Sequence, residues 1–160
     1  MSKQQVLLQI IETLKVDLDV ATRAAQTAYE TATHEENIAE NKYDTLGLEA
    51  SYLAAGQARR VEEIRQSLVR YQAFTLEPHD DQRGIQPGDL ITLESASGQR
   101  QQLFLGPDAA GLKLHHCDAL VTVITAKAPL GQSLLGKLDG DAVEINVNGA
   151  RQSFEIVQIL

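Results

Sequence analysis

The sequence predicts an α+β chain in two parts: an N-terminal antiparallel α-helical coiled-coil hairpin, then a C-terminal β-rich domain with one short helix. Three observations predict it. Residues 1–76 contain two of the eleven glycines and no proline, whereas residues 77–160 contain the other nine glycines and all four prolines. In the first part apolar residues recur at alternating spacings of four and three, the heptad pattern of a coiled coil. In the second part they fall in short runs between glycine, proline and asparagine turns. The composition shift sets the boundary at the polar stretch Glu77-Pro78-His79-Asp80-Asp81.

The first helical stripe is Leu7, Ile11, Leu14, Leu18, Ala21, Ala25, Ala28 and Ala32. The second is Gly47, Ala50, Ala54, Gln57, Val61, Ile64, Leu68 and Tyr71. A polar segment lies between them without a stripe, so the two helices are expected to fold back on each other. Residue size argues for antiparallel pairing. The first stripe runs from large to small and the second from small to large. Only a fold-back sets small against small at the turn and large against large at the base. The paired stretch is then roughly 40 Å long, at ~1.5 Å rise per residue. Its alanine-rich end should be slender, because small contacts let helix axes approach toward ~8 Å. A hairpin of this kind uses its own stripe, so a monomer is expected.

The second part reads as strands over Asp89–Glu94, Gln102–Leu105, Leu120–Thr125, Ala142–Val147 and Ser153–Leu160. Pro87-Gly88, Ser97-Gly98 and Asn148-Gly149 supply turns. A short helix is expected from Pro129, whose fixed φ suits a first helical turn, to about Gly136. The expected product is an antiparallel sheet with that helix against it.

Composition excludes several classes. A formal charge of −8 disfavours a nonspecific DNA binder, which needs a basic face, and favours a basic protein partner. Aromatic residues make up 4% with no tryptophan, too few for a platform that stacks single-stranded bases. The lone cysteine, Cys117, excludes an intrachain disulfide and suits a reducing compartment. No secretory leader or membrane-spanning run is evident, so a cytoplasmic protein without membrane contact is expected.

The most unusual feature is the hairpin tip around 35–44. Between Glu30 and Glu49 stand six acids (Glu30, Glu35, Glu36, Glu40, Asp44 and Glu49) and one base, Lys42. Such density suits a divalent cation or a basic channel, since Mg²⁺ takes carboxylate oxygens; the plain alternative is a solvated acidic turn. Arg59, Arg60, Arg65 and Arg70 follow on the second helix. They are suited to RNA or an acidic protein face, or else to pairing with acids on the partner helix. His115-His116-Cys117-Asp118 contains three metal-ligand types, but without a second ligand cluster at zinc spacing a loop is expected there. His34 and His79 stand alone and are expected to be exposed. No nucleophile elbow or phosphate-cradling glycine loop is present, so no self-contained enzyme is indicated.

Residues 128–137 (APLGQSLLGK), followed by Gly140-Asp141-Ala142-Val143-Glu144, resemble the C-terminal signature of the Gre family of transcription elongation factors, with Ala128 replacing its usual serine. Phe154-Glu155-Ile156 is similar to the family's terminal strand, and Glu40-Asn41-Lys42-Tyr43 to its tip motif. The resemblance implies an FKBP-like C-terminal domain that docks on core RNA polymerase through Pro129, Leu130, Gly131, Gly136, Gly140 and Asp141. It also implies a coiled coil entering the polymerase's secondary channel, with nascent RNA met indirectly. No tightly bound cofactor is implied, only Mg²⁺ shared with the polymerase through Glu36, Glu40 and Asp44. The tip departs from the pattern. Aligned on Glu40-Asn41, the family's aspartate falls on Asn37; aligned on Tyr43, it falls on Glu36, while the family's glutamate falls on Ala39. Two channel roles therefore stay open, stimulated cleavage of backtracked RNA using Glu40 with Glu36 or Asn37 and channel occupancy without cleavage, beside a third reading as a structural coiled-coil protein unrelated to transcription. Prolyl isomerase activity is not carried by the fold resemblance.

Overall fold

The computed structural model describes residues 2–34, 46–116 and 118–160. The tip carrying Glu36, Asn37, Glu40 and Asp44 lies outside them, as does Cys117. The elements are α1 (Lys3–Thr33), α2 (Leu46–Gln72), β1 (Leu90–Ser95), β2 (Arg100–Leu105), β3 (Lys113–His116), β4 (Ala119–Ile124), α3 (Pro129–Leu134), β5 (Ala142–Val147) and β6 (Ala150–Ile159). They form two compact units, residues 11–69 and residues 1–10 with 70–160. The first ten residues and 70–76 thus group with the β-rich part, although composition changes only at 77. Among the described residues, no helix is long and apolar enough to cross a membrane.

In the helical unit, the expected stripes are the inner faces. From Ile11 to Ala32 and from Ala50 to Leu68, every stripe residue is buried or half-buried. Ala24, Thr27, Ala28 and Thr31 of α1 line one cleft with Ala50, Leu53 and Gln57 of α2. Small residues of the two helices therefore meet, as the size gradient requires.

The other unit begins with a reciprocal cap. Ser2 Oγ accepts from the Gln5 amide at 3.2 Å, and Gln5 Oε1 accepts from the Ser2 amide at 3.0 Å, which satisfies two otherwise orphaned donors. Val6 and Ile10 lie off the heptad stripe yet are fully buried, because this end of α1 belongs to the sheet-containing unit.

The sheet has six strands in the order β3-β4-β2-β1-β6-β5. It is mixed, which corrects the antiparallel expectation: β4 pairs with β2 in parallel, Gln102 opposite Val121 and Leu105 opposite Ile124. The reason is β3, expected to be loop. It forms an antiparallel pair with β4 at the sheet's edge, so β4 returns alongside β2 in the same direction. Ile85, Ile91, Leu93, Leu103, Leu105, Leu134, Val143 and Ile156 form one buried cluster, against which Leu130 of α3 packs. Leu90, Phe104, Leu114, Val121 and Val123 are buried as well. Where β1 and β2 pair, Leu90, Ile91 and Leu93 and Leu103, Phe104 and Leu105 are buried on both alternating sets of positions, so this part of the sheet is covered on both faces.

Candidate functional site

The signature segment is a tightly tied corner. Pro129 opens α3 and lacks the amide that a first-turn residue would leave unpaired. The Gln132 amide donates to the Ala128 carbonyl at 2.9 Å, without any side-chain cap. Gly131 is buried where a Cβ would collide with the carbonyl oxygen of Thr125, so this position tolerates no side chain. The chain leaves through Gly136 at φ +77°, a left-handed conformation favouring glycine. There the Gly136 amide donates to the Ile85 carbonyl at 2.9 Å, and the Ile85 amide to the Lys137 carbonyl at 2.8 Å.

Asp141 closes the corner. Its Oδ2 accepts from the Leu138 amide at 2.8 Å, its carbonyl accepts from the Ile156 amide at 2.9 Å, and the Gly140 amide donates to the Ile156 carbonyl at 2.8 Å. Four of the six expected docking residues, Gly131, Gly136, Gly140 and Asp141, therefore shape the corner's backbone. Leu130 is half-buried on the core, and Pro129 is exposed. The outward side chains that sequence reasoning passed over are Leu135 and Leu138, 38% and 43% exposed.

A second constellation centres on Asp89, buried at 3% exposure. Lys3 Nζ donates to its Oδ1 at 3.0 Å and to the Glu77 carbonyl at 2.6 Å. Its Oδ2 lies 2.8 Å from His79 Nδ1 and accepts from the Gln86 amide at 2.9 Å. The expectation of an exposed His79 is thus corrected: its side chain is 11% exposed, held between Asp89 and the solvated Asp81. A desolvated carboxylate needs this many partners. Its purpose here is to bind the start of α1 and the 77–79 segment to the head of β1. Residues 86 positions apart meet in it, and neither Lys3 nor Asp89 was singled out in the sequence.

At the end of α2, the buried Tyr71 hydroxyl donates to the Asp108 carbonyl at 2.7 Å, and Arg70 Nη1 lies 2.6 Å from Asp108 Oδ2. Burial raises the Tyr71 pKa well above the ordinary phenol value, and the Asp108 charge adds to it.

Among the described residues, the α2 arginines pair with no acid of the partner helix. Arg65 meets Glu62 at 2.8 Å and Arg60 meets Glu63 at 3.9 Å, both on their own helix, while Arg70 reaches Asp108. One-turn spacing makes such pairs local. Arg59 is exposed. Of the His115–Asp118 group, His115 lies in β3 and its carbonyl accepts from Gln9 Nε2 at 2.7 Å. Among the described residues, no cluster of three or more His, Cys, Asp or Glu is placed to hold a metal ion.

Residues 81–160, half of the chain, match the family model described as transcription elongation factor GreA/GreB, C-terminal. The transcription elongation factor GreA of Brucella suis is 25% identical over 132 residues, 78% of this chain and 79% of that protein. Crystal structures of Gfh1, a GreA factor homologue, are also similar. That from Thermus thermophilus is 23% identical, covering 98% of this chain and 93% of its own, with a TM-score of 0.40. That from Thermus aquaticus is 25% identical, covering 98% and 92%, with a TM-score of 0.41. The family match, which takes in the whole corner from Pro129 to Asp141, is the finding that assigns the chain. It belongs to the GreA/GreB family of transcription elongation factors.

Proposed function

We propose that this factor binds core RNA polymerase through its C-terminal domain and presents the hairpin tip to the polymerase's secondary channel, the polymerase keeping the active site. The observation that carries this reading is the corner from Pro129 to Asp141. Its backbone is rigidly tied, yet Pro129, Leu135 and Leu138 stay in solvent. Exposed apolar side chains on a rigid turn suit a protein partner. In this reading the acids Glu36, Glu40 and Asp44 share an Mg²⁺ with the polymerase, no cofactor being held by the factor alone. Arg59 and Arg60 meet polymerase or RNA, and the factor acts as a monomer in the cytoplasm.

A second reading is occupancy of the channel without cleavage. It is favoured by the tip sequence, where either neutral Asn37 or Ala39 takes a position that is acidic in the family. Stalled elongation complexes separate the two. RNA shortened by the protein, and left intact by Glu40→Ala, supports cleavage; slowed elongation without shortening supports occupancy. Failure of the whole chain to co-elute with core polymerase would remove both.

A further inference from the structure

α1 and α2 run unbroken across the limits of the sheet-containing unit, between residues 10 and 11 and between 69 and 70. That unit therefore holds the root of each hairpin helix. We infer that Gln9 and Tyr71 are positioning residues, whose bonds at the two roots set the direction in which the hairpin is presented. The consequence at the tip rests on the polymerase reading above; the bonds themselves do not.

The root of α1 is tied twice. Lys3 Nζ donates to Asp89 Oδ1 at the head of β1 at 3.0 Å, and Gln9 Nε2 donates to the His115 carbonyl of β3 at 2.7 Å. The two ties lie six residues apart, ~9 Å along the helix axis. Their strands stand three places apart in the sheet, about 14 Å. One tie would leave a pivot, whereas two on separate strands hold an angle. Val6 and Ile10 are buried on the same stretch, but apolar burial has no preferred direction and a hydrogen bond has one.

The root of α2 is held in a slot. Tyr71 is fully buried, with its hydroxyl on the Asp108 carbonyl at 2.7 Å. The slot exists because residue 106 is glycine: a Cβ there would collide with the Tyr71 hydroxyl oxygen. Its wall is anchored, since the Gly106 amide donates to the Ile124 carbonyl at 2.8 Å. The Leu105 amide donates to the Asp89 carbonyl at 3.1 Å, so the slot is joined to the residue that ties Lys3. Beyond its root, α1 continues for 23 residues to Thr33. Over ~35 Å, a change of about 10° at the root carries the far end about 6 Å. Misplacement by ~1 Å in a reacting constellation can cost about 100-fold in rate.

The test uses the whole chain with Cys117→Ser and nitroxide labels on Ala58→Cys and Ala96→Cys, exposed positions with one in each unit. Double electron–electron resonance reads the width of the label-to-label distance distribution. Tyr71→Phe and Gln9→Leu should each widen it, and together about twofold, since two directional bonds are then gone. Ile91→Val, a comparable loss of stability in the sheet core, should leave it unchanged. Stalled elongation complexes read the consequence. The double variant should half-saturate core polymerase within about twofold of the native chain, while its effect on the RNA at saturation falls about tenfold. Unchanged width in both single variants overturns the inference, as does equal widening in Ile91→Val. So does a full effect at saturation from a chain whose distribution is wide. A native chain that does not co-elute with core polymerase removes the polymerase reading instead, and the label distances still decide the ties.

Discussion

The helical unit and the sheet unit are held together by different means. Between residues 11 and 69 the buried side chains described are apolar, small toward one end, and spaced by the heptad; the charged groups pair locally on the surface. In the unit containing the sheet, an apolar core is joined by a buried carboxylate, a half-buried histidine and a buried phenol that tie together segments distant in sequence. A repeating stripe tolerates change one contact at a time. A polar hub concentrates stability in few atoms, because losing one partner strands the rest without solvent.

The largest effect should come from breaking the hub. Asp89→Ala leaves Lys3, His79 and the Gln86 amide without their acceptor and should cost roughly 3 kcal/mol. Hydrogen exchange read unit by unit sharpens the comparison, since protection should fall in the sheet unit and hold within 11–69. Equal loss in both would show that the units do not differ as described.

Ile64→Ala, in the centre of the second stripe, should cost about 2 kcal/mol, at the low end for a buried isoleucine because the helix pair offers fewer neighbours than a sheet core. Urea unfolding measures it. A cost larger than that of Asp89→Ala would reverse the ordering of the two regions.

Tyr71→Phe should cost about 1 kcal/mol for one hydrogen bond. Its pH dependence is more diagnostic. The folded pKa is raised, so the phenol's contribution is fully present below the unfolded value of about 10 and is lost as pH climbs above it. The native protein should lose stability above about pH 10 more steeply than Tyr71→Phe, as followed by thermal denaturation. Arg65→Ala, which removes an exposed pair with Glu62, should change stability by about 0.5 kcal/mol or less. A larger loss would mean that α2 depends on its surface charges.

Much of the corner was legible because its chemistry is local. Pro129 starts a helix by its ring, and the segment to Gly136 and Asp141 is contiguous. The sequence did not resolve the division of labour within it: Gly131, Gly136, Gly140 and Asp141 shape the backbone, while Pro129, Leu135 and Leu138 face solvent. Burial separates the two roles, and an unaligned sequence does not report burial residue by residue. β3 escaped for a related reason. Four residues with a single buried side chain, Leu114, are too short to display a period.

The sequence by itself determined the two helices, their inner faces, five of the six strands and the short helix, because heptad spacing, alternation and turn residues act over a few neighbouring positions. Tertiary structure alone decided the parallel pairing of β2 with β4 and the gathering of Lys3, His79 and Asp89. Each depends on residues far apart in the chain meeting after collapse, when strand order and desolvation select which partners a strand or a buried charge finds.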